Sequence, residues 1–239
     1  MDIFYCTDIQ EDIIVLGQEE SHHCIAVLRY RKGDRIKIVN GKGLFCEGII
    51  QRADPMQCRV ELWNRQQNYG RTDFFLHIAI APVKSHDRFE WFLEKATEIG
   101  IHEISPVICR RSERKTLRRS RAEKILLSAM KQSGRAYLPK FNDELPLKKF
   151  MQACDQSVKM IAHCSEGNRQ SIKPDWVQRT DACILIGPEG DFTDEEIMQA
   201  RQHGFKEISL GDSVLRTETA GLVACTLVNY LNKNAGLDK

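Results

Sequence analysis

From Asp73 onward the sequence alternates between short apolar stretches and segments with helical spacing, and this alternation constrains the fold most strongly. Each apolar stretch is short enough for a strand, and the next begins only after an intervening helical pattern. The predicted strands are 74–81, 104–109, 158–162, 182–186 and 207–210, and the predicted helices include 89–99, 122–132 and 147–153. Strands separated by helices favour a parallel sheet covered by helices. We therefore predict an α/β fold.

The first 70 residues have a different pattern, which predicts a smaller β-rich domain. Arg35–Val39 and Phe45–Ile50 read as two strands, and the intervening Asn40-Gly41 tolerates positive φ and predicts a hairpin turn. The stretch 21–30 is predicted to be helical, with Ser21 as its N-cap. The polar stretch 64–72 is the predicted linker. We expect two domains, 1–70 and 73–239.

Composition narrows the class of protein. The chain has 239 residues, 42% of them hydrophobic and 28% charged, which is typical of a globular protein. It has neither an apolar run of membrane-spanning length nor a secretory leader, so we expect a cytoplasmic protein with no membrane partner. The nine cysteines include no CxxC pair, and His22 and His23 lack a third ligand nearby. We expect reduced, mostly buried cysteines, a surface histidine pair and no metal.

Basic residues are concentrated in two places although the formal net charge is only +2. Eight of the sixteen residues from Cys109 to Lys124 are Arg or Lys, and a smaller group lies between Arg29 and Lys37. Such asymmetry is typical of a protein that binds a polyanion, although a solvated helix face would have the same pattern. The candidates for polyanion contact are Arg29, Arg31, Lys32, Arg110, Arg111, Arg114, Arg118, Arg119 and Arg121.

Two predicted strands end in segments that suit a ligand. Ile184–Gly190 breaks from buried strand into Gly, Pro and Glu, and Leu210–Ala220 passes through a polar loop into a helix. Ligands of parallel sheets bind beyond the carboxyl ends of the strands, and glycine there lets a nucleotide approach the backbone. Two ordinary turns would also explain the glycines. The chain has neither a GxxxxGK[ST] phosphate loop nor GxGxxG after a strand, so a kinase, GTPase or conventional dehydrogenase is not expected.

Arg216 precedes Thr217, a candidate helix N-cap, so a guanidinium and a helix N-terminus are predicted to lie together. Both favour anions. The alternative is a structural ion pair between Arg216 and Glu218 or Glu189, and the sequence leaves the two interpretations open.

Five ordered motifs resemble the RsmE family of the SPOUT superfamily. They are HHCIAVLRYRKGDRIKIVNGKG (22–43), the stretch 84–100 ending in KATEIG, KQSGR (131–135), IGPEG (186–190) and the LRTETA of 210–220. The resemblance covers nearly the whole chain. One departure is Asp191, which stands where the family pattern continues with a second Gly. If the loop needs positive φ at this position, Asp tolerates it better than most residues, so we expect the activity to be kept although the fine geometry of the loop differs.

The resemblance implies a PUA-like RNA-binding β-barrel followed by a SPOUT-type parallel sheet with a C-terminal deep trefoil knot. Knots are rare in proteins, and only the resemblance supports one here. It further implies S-adenosylmethionine-dependent methylation of N3 of a uridine in bacterial 16S ribosomal RNA, within the small subunit, by a homodimer packed through the knotted domain. The implied donor-binding residues are Ile186, Gly187, Glu189, Gly190, Leu210, Gly211, Leu215, Arg216, Thr217, Glu218 and Thr219.

Uridine N3 carries a proton at neutral pH, so methylation requires removal of that proton or stabilisation of the resulting anion. We expect Arg216 to stabilise the anion or to hold a phosphate, with Glu218 or Glu189 as the base. Gln132 and Arg135 are expected to contact the substrate. The alternatives are a SPOUT methyltransferase for another RNA base or for tRNA, and a non-catalytic RNA-binding protein of ribosome assembly.

Overall fold

The computed structural model describes residues 2–113, 116–165 and 169–234. The chain divides into two compact units, the first formed by Met1–Arg71 with Leu127–Leu138 and the second by Thr72–Leu126 with Pro139–Lys239. The predicted division after residue 70 lies one residue from the observed one. We expected residues 127–138 in the second unit, but they belong to the first. Within the described residues no helix is both long and apolar enough to cross a membrane.

The first unit is built on a five-stranded sheet with the order β1-β3-β4-β5-β2. Only β1 and β3 are parallel, and the other neighbours are antiparallel. The strands are β1 (Ile3–Tyr5), β2 (Ile13–Val15), β3 (Arg35–Val39), β4 (Phe45–Arg52) and β5 (Arg59–Gln66). The predicted small β-rich domain is therefore confirmed.

The predicted hairpin between β3 and β4 is also confirmed. Gly41 has φ +73°, and the Asn40 side-chain oxygen accepts hydrogen bonds from the amides of Lys42 (2.8 Å) and Leu44 (3.0 Å). These bonds replace strand pairing at the point where the chain reverses.

The predicted helix cap at Ser21 is wrong. Helix α1 (Gln18–His22) begins earlier and continues as a π-helical turn over His23–Val27. Ser21 lies inside α1, where its buried hydroxyl donates to the Leu16 carbonyl (2.9 Å) and accepts from the Cys58 amide (3.0 Å). The hydroxyl thus joins α1 to the residue that precedes β5. Local capping rules do not predict this tertiary contact.

Residues 127–138 join the first unit because their apolar side chains complete a core there. Met130 and Ala136 are buried in a cluster with Val39 and Phe45. In the same unit the Lys131 ammonium pairs with Glu20. Helical periodicity predicted the helix but not the core against which its last turns pack.

The second unit contains an eight-stranded sheet in which every recorded pairing is parallel. Its order is β11-β13-β10-β12-β6-β7-β8, with β9 paired to β7. The strands are β6 (Phe75–Ile80), β7 (Glu103–Ile108), β8 (Lys140–Phe141), β9 (Leu145–Pro146), β10 (Val158–Ala162), β11 (Gln170–Ser171), β12 (Asp181–Ile186) and β13 (Lys206–Ser209). The predicted parallel α/β sheet is confirmed, whereas the knot stays a prediction.

Helices cover both faces of this sheet, because successive strand residues point to opposite sides. The helices of this part of the chain are α2 (His86–Ile99), α3 (Arg119–Gln132), α4 (Leu147–Ala153), α5 (Pro174–Val177), α6 (Asp194–Gln202) and α7 (Thr217–Asn234), and residues 127–132 of α3 belong to the first unit. On one face Ala79 and Leu185 share a core with residues of α4 and α6. On the other face a Cβ at Gly221 of α7 would stand 2.9 Å from Ile80 and 2.7 Å from Phe92 of α2. The close approach of α7 therefore depends on this glycine.

The start of α6 shows the capping box that the sequence predicts. The Thr193 hydroxyl accepts from the Glu196 amide (3.2 Å), and the Glu196 carboxylate accepts from the Thr193 amide (2.8 Å). The helix therefore begins at a fixed point, immediately after the loop that leaves β12.

Candidate active site

A cavity of about 400 Å³ lies in the second unit beyond the carboxyl ends of three adjacent strands. Its wall includes Ala162, Ile186 and Ser209, the last residues of β10, β12 and β13. The strand order changes direction near β12 and β6, and ligands of open α/β sheets bind at such a point. The cavity therefore lies where the sequence predicted a ligand.

The loop after β12 turns sharply at residues 188–191. The Asp191 amide donates to the Pro188 carbonyl (2.9 Å), and Asp191 has φ +60°. The prediction that Asp accommodates a left-handed conformation here is confirmed. The turn is tied to neighbouring loops by Glu189, which accepts from the Lys84 amide (2.9 Å), and by the Gly190 carbonyl, which accepts from the Arg111 guanidinium (2.7 Å).

One hydrogen bond joins the two loops that the sequence singled out. The buried Thr217 hydroxyl donates to the Gly187 carbonyl at 2.9 Å. Thr217 is the first residue of α7 rather than the N-cap that we expected. Its hydroxyl therefore connects the end of β12 to the start of α7 instead of capping the helix.

Two glycines shape the cavity wall in different ways. A Cβ at Gly187 would stand 3.0 Å from the Phe192 ring, so a larger residue would require the ring to shift by a few tenths of an ångström. Gly211 has φ +131°, a conformation that other residues rarely adopt, and a Cβ at this position would meet no atom within 4 Å. The backbone at Gly211 is therefore accessible.

Most of the expected donor-binding residues lie in this wall. The structure brings together Ile186, Gly187, Glu189, Gly190, Leu210, Gly211, Leu215, Arg216 and Thr217. Glu218 and Thr219 are not among the wall residues, and their expected contact with the donor stays a prediction. Successive helical residues are rotated by about 100°, so Glu218 and Thr219 turn away from the cavity, whereas Ala220, almost one turn after Thr217, lines it again.

The sequence did not indicate the loop after β10, which supplies His163, Cys164 and Arg169 to the wall. His163 is buried, and its Nε2 lies 2.9 Å from the Glu207 carboxylate. Arg201 holds the same carboxylate through two bonds of 2.6 and 2.8 Å. The Arg201 guanidinium, followed by His163, lowers the pKa of Glu207 despite the opposing effect of burial.

The three candidate catalytic residues occupy different environments. The exposed Arg216 lines the cavity, and its guanidinium makes no hydrogen bond or ion pair with the residues that the structure describes. Glu189 also lines it and is exposed. Glu218 is 5% exposed and lies 3.8 Å from the Arg88 guanidinium. The alternative in which Arg216 pairs with either glutamate is therefore not observed.

Three arginines of the basic run in the second unit are paired with acidic neighbours. Arg110 pairs with Glu195 (2.6 Å), and Arg121 holds Glu90 through two bonds. Arg119 pairs with Glu123 (2.8 Å) and Asp143, while Arg111 binds backbone carbonyls instead of an acid. The exposed Arg118 has no ion pair among the described residues, and Arg114 lies outside them. The run is thus a weaker polyanion surface than its composition suggested.

The other candidates for RNA contact belong to the first unit. Arg29, Arg31 and Lys32 are exposed in the loop before β3, and Arg29 has φ +63°. Gln132 is exposed at the end of α3, and Arg135 is partly exposed.

His22 and His23 are exposed as expected, and seven of the nine cysteines are buried.

Comparison with known families assigns both units. The family described as RNA methyltransferase domain matches residues 71–229, and the RNA methyltransferase PUA domain matches residues 16–62. The chain is 32% identical over 231 residues to ribosomal RNA small subunit methyltransferase E of Mesomycoplasma hyopneumoniae, with 93% of this chain and 96% of the relative covered.

Solved structures agree with this assignment. A probable rRNA-methyltransferase from Porphyromonas gingivalis is 38% identical with a TM-score of 0.89, covering 98% of this chain and 99% of its own. Ribosomal RNA small subunit methyltransferase E from Neisseria gonorrhoeae, bound to S-adenosyl methionine, is 26% identical with a TM-score of 0.84, covering 97% and 98%. The chain belongs to the RNA methyltransferase family, with a PUA domain, that includes ribosomal RNA small subunit methyltransferase E.

Proposed function

We propose that this protein transfers a methyl group from S-adenosylmethionine to N3 of a specific uridine in 16S ribosomal RNA, within the small ribosomal subunit. The observation that carries the proposal is the cavity beyond β10, β12 and β13, which has the unpaired Arg216 in its wall. The family assignment supports RNA as the substrate, and the Neisseria gonorrhoeae relative is bound to the same donor.

The cavity fits a nucleoside donor in size and in chemistry. Its volume of about 400 Å³ lies within the range of small-molecule sites. Gly211 leaves the backbone accessible, so main-chain groups can bind an adenosine without hindrance from a side chain. When bound, S-adenosylmethionine supplies the methyl group from its sulfonium, and the wall residues from 186–191 and 210–217 hold and orient it.

Residues of the chain must remove the N3 proton of the uridine or stabilise the anion that its loss leaves. Arg216 offers a guanidinium that no described carboxylate neutralises, so it can stabilise negative charge that develops on the uracil ring. Of the two candidate bases, Glu189 is favoured over Glu218, because Glu189 lines the cavity whereas Glu218 is buried beside Arg88. One Glu189 oxygen accepts from the Lys84 amide, which leaves the other available to the substrate.

The first unit and the basic run would bind the RNA. Arg29, Arg31, Lys32 and Arg118 are exposed and form no ion pair among the described residues, which suits contact with phosphates. Gln132 and Arg135 remain proposed substrate contacts. We further propose a cytoplasmic homodimer formed through the second unit, a proposal supported by the exposed aromatic side chains of Trp91 on α2 and Tyr230 on α7.

The test is Arg216→Ala in single-turnover methylation of small subunits that lack the modification, with mass mapping of the modified base. Loss of an electrostatic donor of this kind costs about 100-fold or more in rate. Donor and RNA affinities should change far less, and Arg216→Lys should recover part of the rate because it restores charge without the planar fork. Raising the pH should partly rescue the Ala variant, since hydroxide helps to form the uracil anion.

Two results would contradict parts of the proposal. A rate loss that appears entirely as weaker RNA binding, without rescue by pH, would show that Arg216 positions a phosphate. A wild-type protein that methylates another base or tRNA, or that binds RNA but gives no heat with S-adenosylmethionine, would show that one of the alternative functions is correct.

A further inference from the structure

The Asp191 carboxylate has a fixed position in the wall of the donor cavity. One of its oxygens accepts from the Cys164 amide (2.8 Å), and the other accepts from its own neighbour, the Phe192 amide (2.8 Å). The second oxygen would also stand 3.4 Å from a Cβ at Gly187. The carboxylate therefore joins the loops after β10 and β12, and two backbone amides set its orientation.

No described basic side chain neutralises this carboxylate. Asp191 forms no ion pair with any Lys, Arg or His of the described residues, and its hydrogen-bond donors are neutral amides. Its field reaches the cavity wall, since burial and then the charge of Asp191 raise the pKa of the Cys164 thiol, against a smaller opposing effect of Arg169. A negative charge thus acts on whatever occupies the cavity.

The other ionisable groups in the wall have identifiable partners or the opposite sign. Glu189 is bound by the Lys84 amide, and His163 contacts Glu207. Arg169 donates to the neutral His163 carbonyl (2.8 Å), so Arg169 and Arg216 both keep a positive charge in the wall. Asp191 is therefore the carboxylate whose orientation is set entirely by the two loops that build the cavity.

We propose that Asp191 is a specificity-determining residue that favours the positively charged donor over the neutral product. The inference rests on the proposed function, because methyl transfer converts the cationic sulfonium of S-adenosylmethionine into the neutral thioether of S-adenosylhomocysteine. The two ligands are otherwise alike, so a fixed negative charge in the cavity distinguishes them by electrostatic attraction. The same charge weakens product inhibition, since the product lacks that attraction.

The test compares three ligands by calorimetry with wild type and Asp191→Asn. S-adenosylmethionine and sinefungin carry a positive charge at the reacting position, and S-adenosylhomocysteine does not. Asn tolerates left-handed φ, removes the charge and keeps one of the two acceptor oxygens. The loss of the other hydrogen bond should affect all three ligands alike, so the ratios of their affinities report on the charge. Groups that share so small a cavity lie on the order of 5–10 Å apart, and after solvent screening we expect the affinity ratio of each charged ligand to the neutral one to fall about 3- to 10-fold.

A purely positioning role for Asp191 would weaken all three ligands by the same factor, so the ratios separate the two roles. Asp191→Gly, which also accommodates positive φ, should lower the ratios as Asn does, and it provides a second variant if Asn disturbs the turn. The control is Asp194→Asn, which removes an exposed carboxylate three residues away that does not line the cavity, and it should leave the ratios unchanged.

The outcomes distinguish this inference from the proposed function. Wild-type protein that binds none of the three ligands would overturn the donor assignment, and the Asp191 inference with it. Wild-type binding with unchanged ratios in both Asp191 variants would overturn the inference alone.

Discussion

The hydrogen bond from Thr217 to the Gly187 carbonyl should hold the donor cavity together, and Thr217→Val tests this. Val matches Thr in shape and in the stiffness of its branched side chain, so the change removes little except the hydroxyl. The bond is 2.9 Å long, and both residues are buried. Breaking it leaves the Gly187 carbonyl without its hydroxyl partner at a site that water reaches poorly.

A buried polar group that loses its partner costs about 1–3 kcal/mol. The extra methyl of Val recovers part of this through apolar burial, so we expect the free energy of unfolding to fall by about 1–2 kcal/mol. The two loops joined by the bond are the ones that line the cavity. If the two loops separate in most molecules, the donor must bind the minority in which they stay joined, and the apparent donor Kd rises. A free energy of about 1–2 kcal/mol corresponds to a rise of about 5- to 30-fold, which is the largest effect we expect.

Urea unfolding and donor calorimetry measure the two effects. Thr217→Ser keeps the hydroxyl and should keep donor affinity within about twofold, since its bond can still form. The matched control is Thr226→Val in the same helix, where the exposed hydroxyl bonds only to the Leu222 carbonyl (2.8 Å). If Thr217→Val and Thr226→Val have equal stability and equal donor affinity, the bond does not hold the cavity and the reasoning is refuted.

Two further predictions concern charge. Arg201 and His163 lower the pKa of Glu207, so its ionised form contributes stability above the ordinary carboxyl pKa of 4.5, and this contribution disappears as pH falls through the lower folded pKa. Glu207→Gln should therefore unfold at lower urea concentration than wild type at pH 7, with the difference shrinking at acidic pH; a constant difference would contradict this. Arg118→Ala should reduce the slope of log RNA affinity against log salt by about one without changing urea stability, whereas an unchanged slope would show that Arg118 does not contact phosphate.

The alternating pattern of the second unit was sufficient to predict its sheet, because buried parallel strands are continuous apolar runs that helices separate. The predicted bounds of the strand at 158–162 and of the helix at 147–153 match the structure. The two-residue strands β8, β9 and β11 carry no such pattern. Strands of that length form because a neighbouring edge offers hydrogen-bond partners, and a local sequence window does not contain that information.

Charge was predicted less well than fold, for a related reason. Counting arginines between Cys109 and Lys124 ignores the acids that the fold brings beside them from elsewhere in the chain, such as Glu90 and Glu195. Arg111 instead stabilises the turn after β12, where it binds the Gly190 carbonyl. The electrostatic surface depends on tertiary pairing, so a run of basic residues predicts only an upper limit for RNA contact.

The cavity shows how much of a binding site can be found by reasoning from the sequence alone. The rule that ligands bind at the carboxyl ends of strands, together with the glycines, identified the loops after β12 and β13. The loop after β10 obeys the same rule but carries no glycine at its start, and His163 and Cys164 there resemble ordinary buried and surface residues. These three loops form one wall because β10 lies between β13 and β12 in the sheet, although it precedes both in the chain. The complete cavity can therefore be predicted from the two motifs only when the order of the strands in the sheet is known.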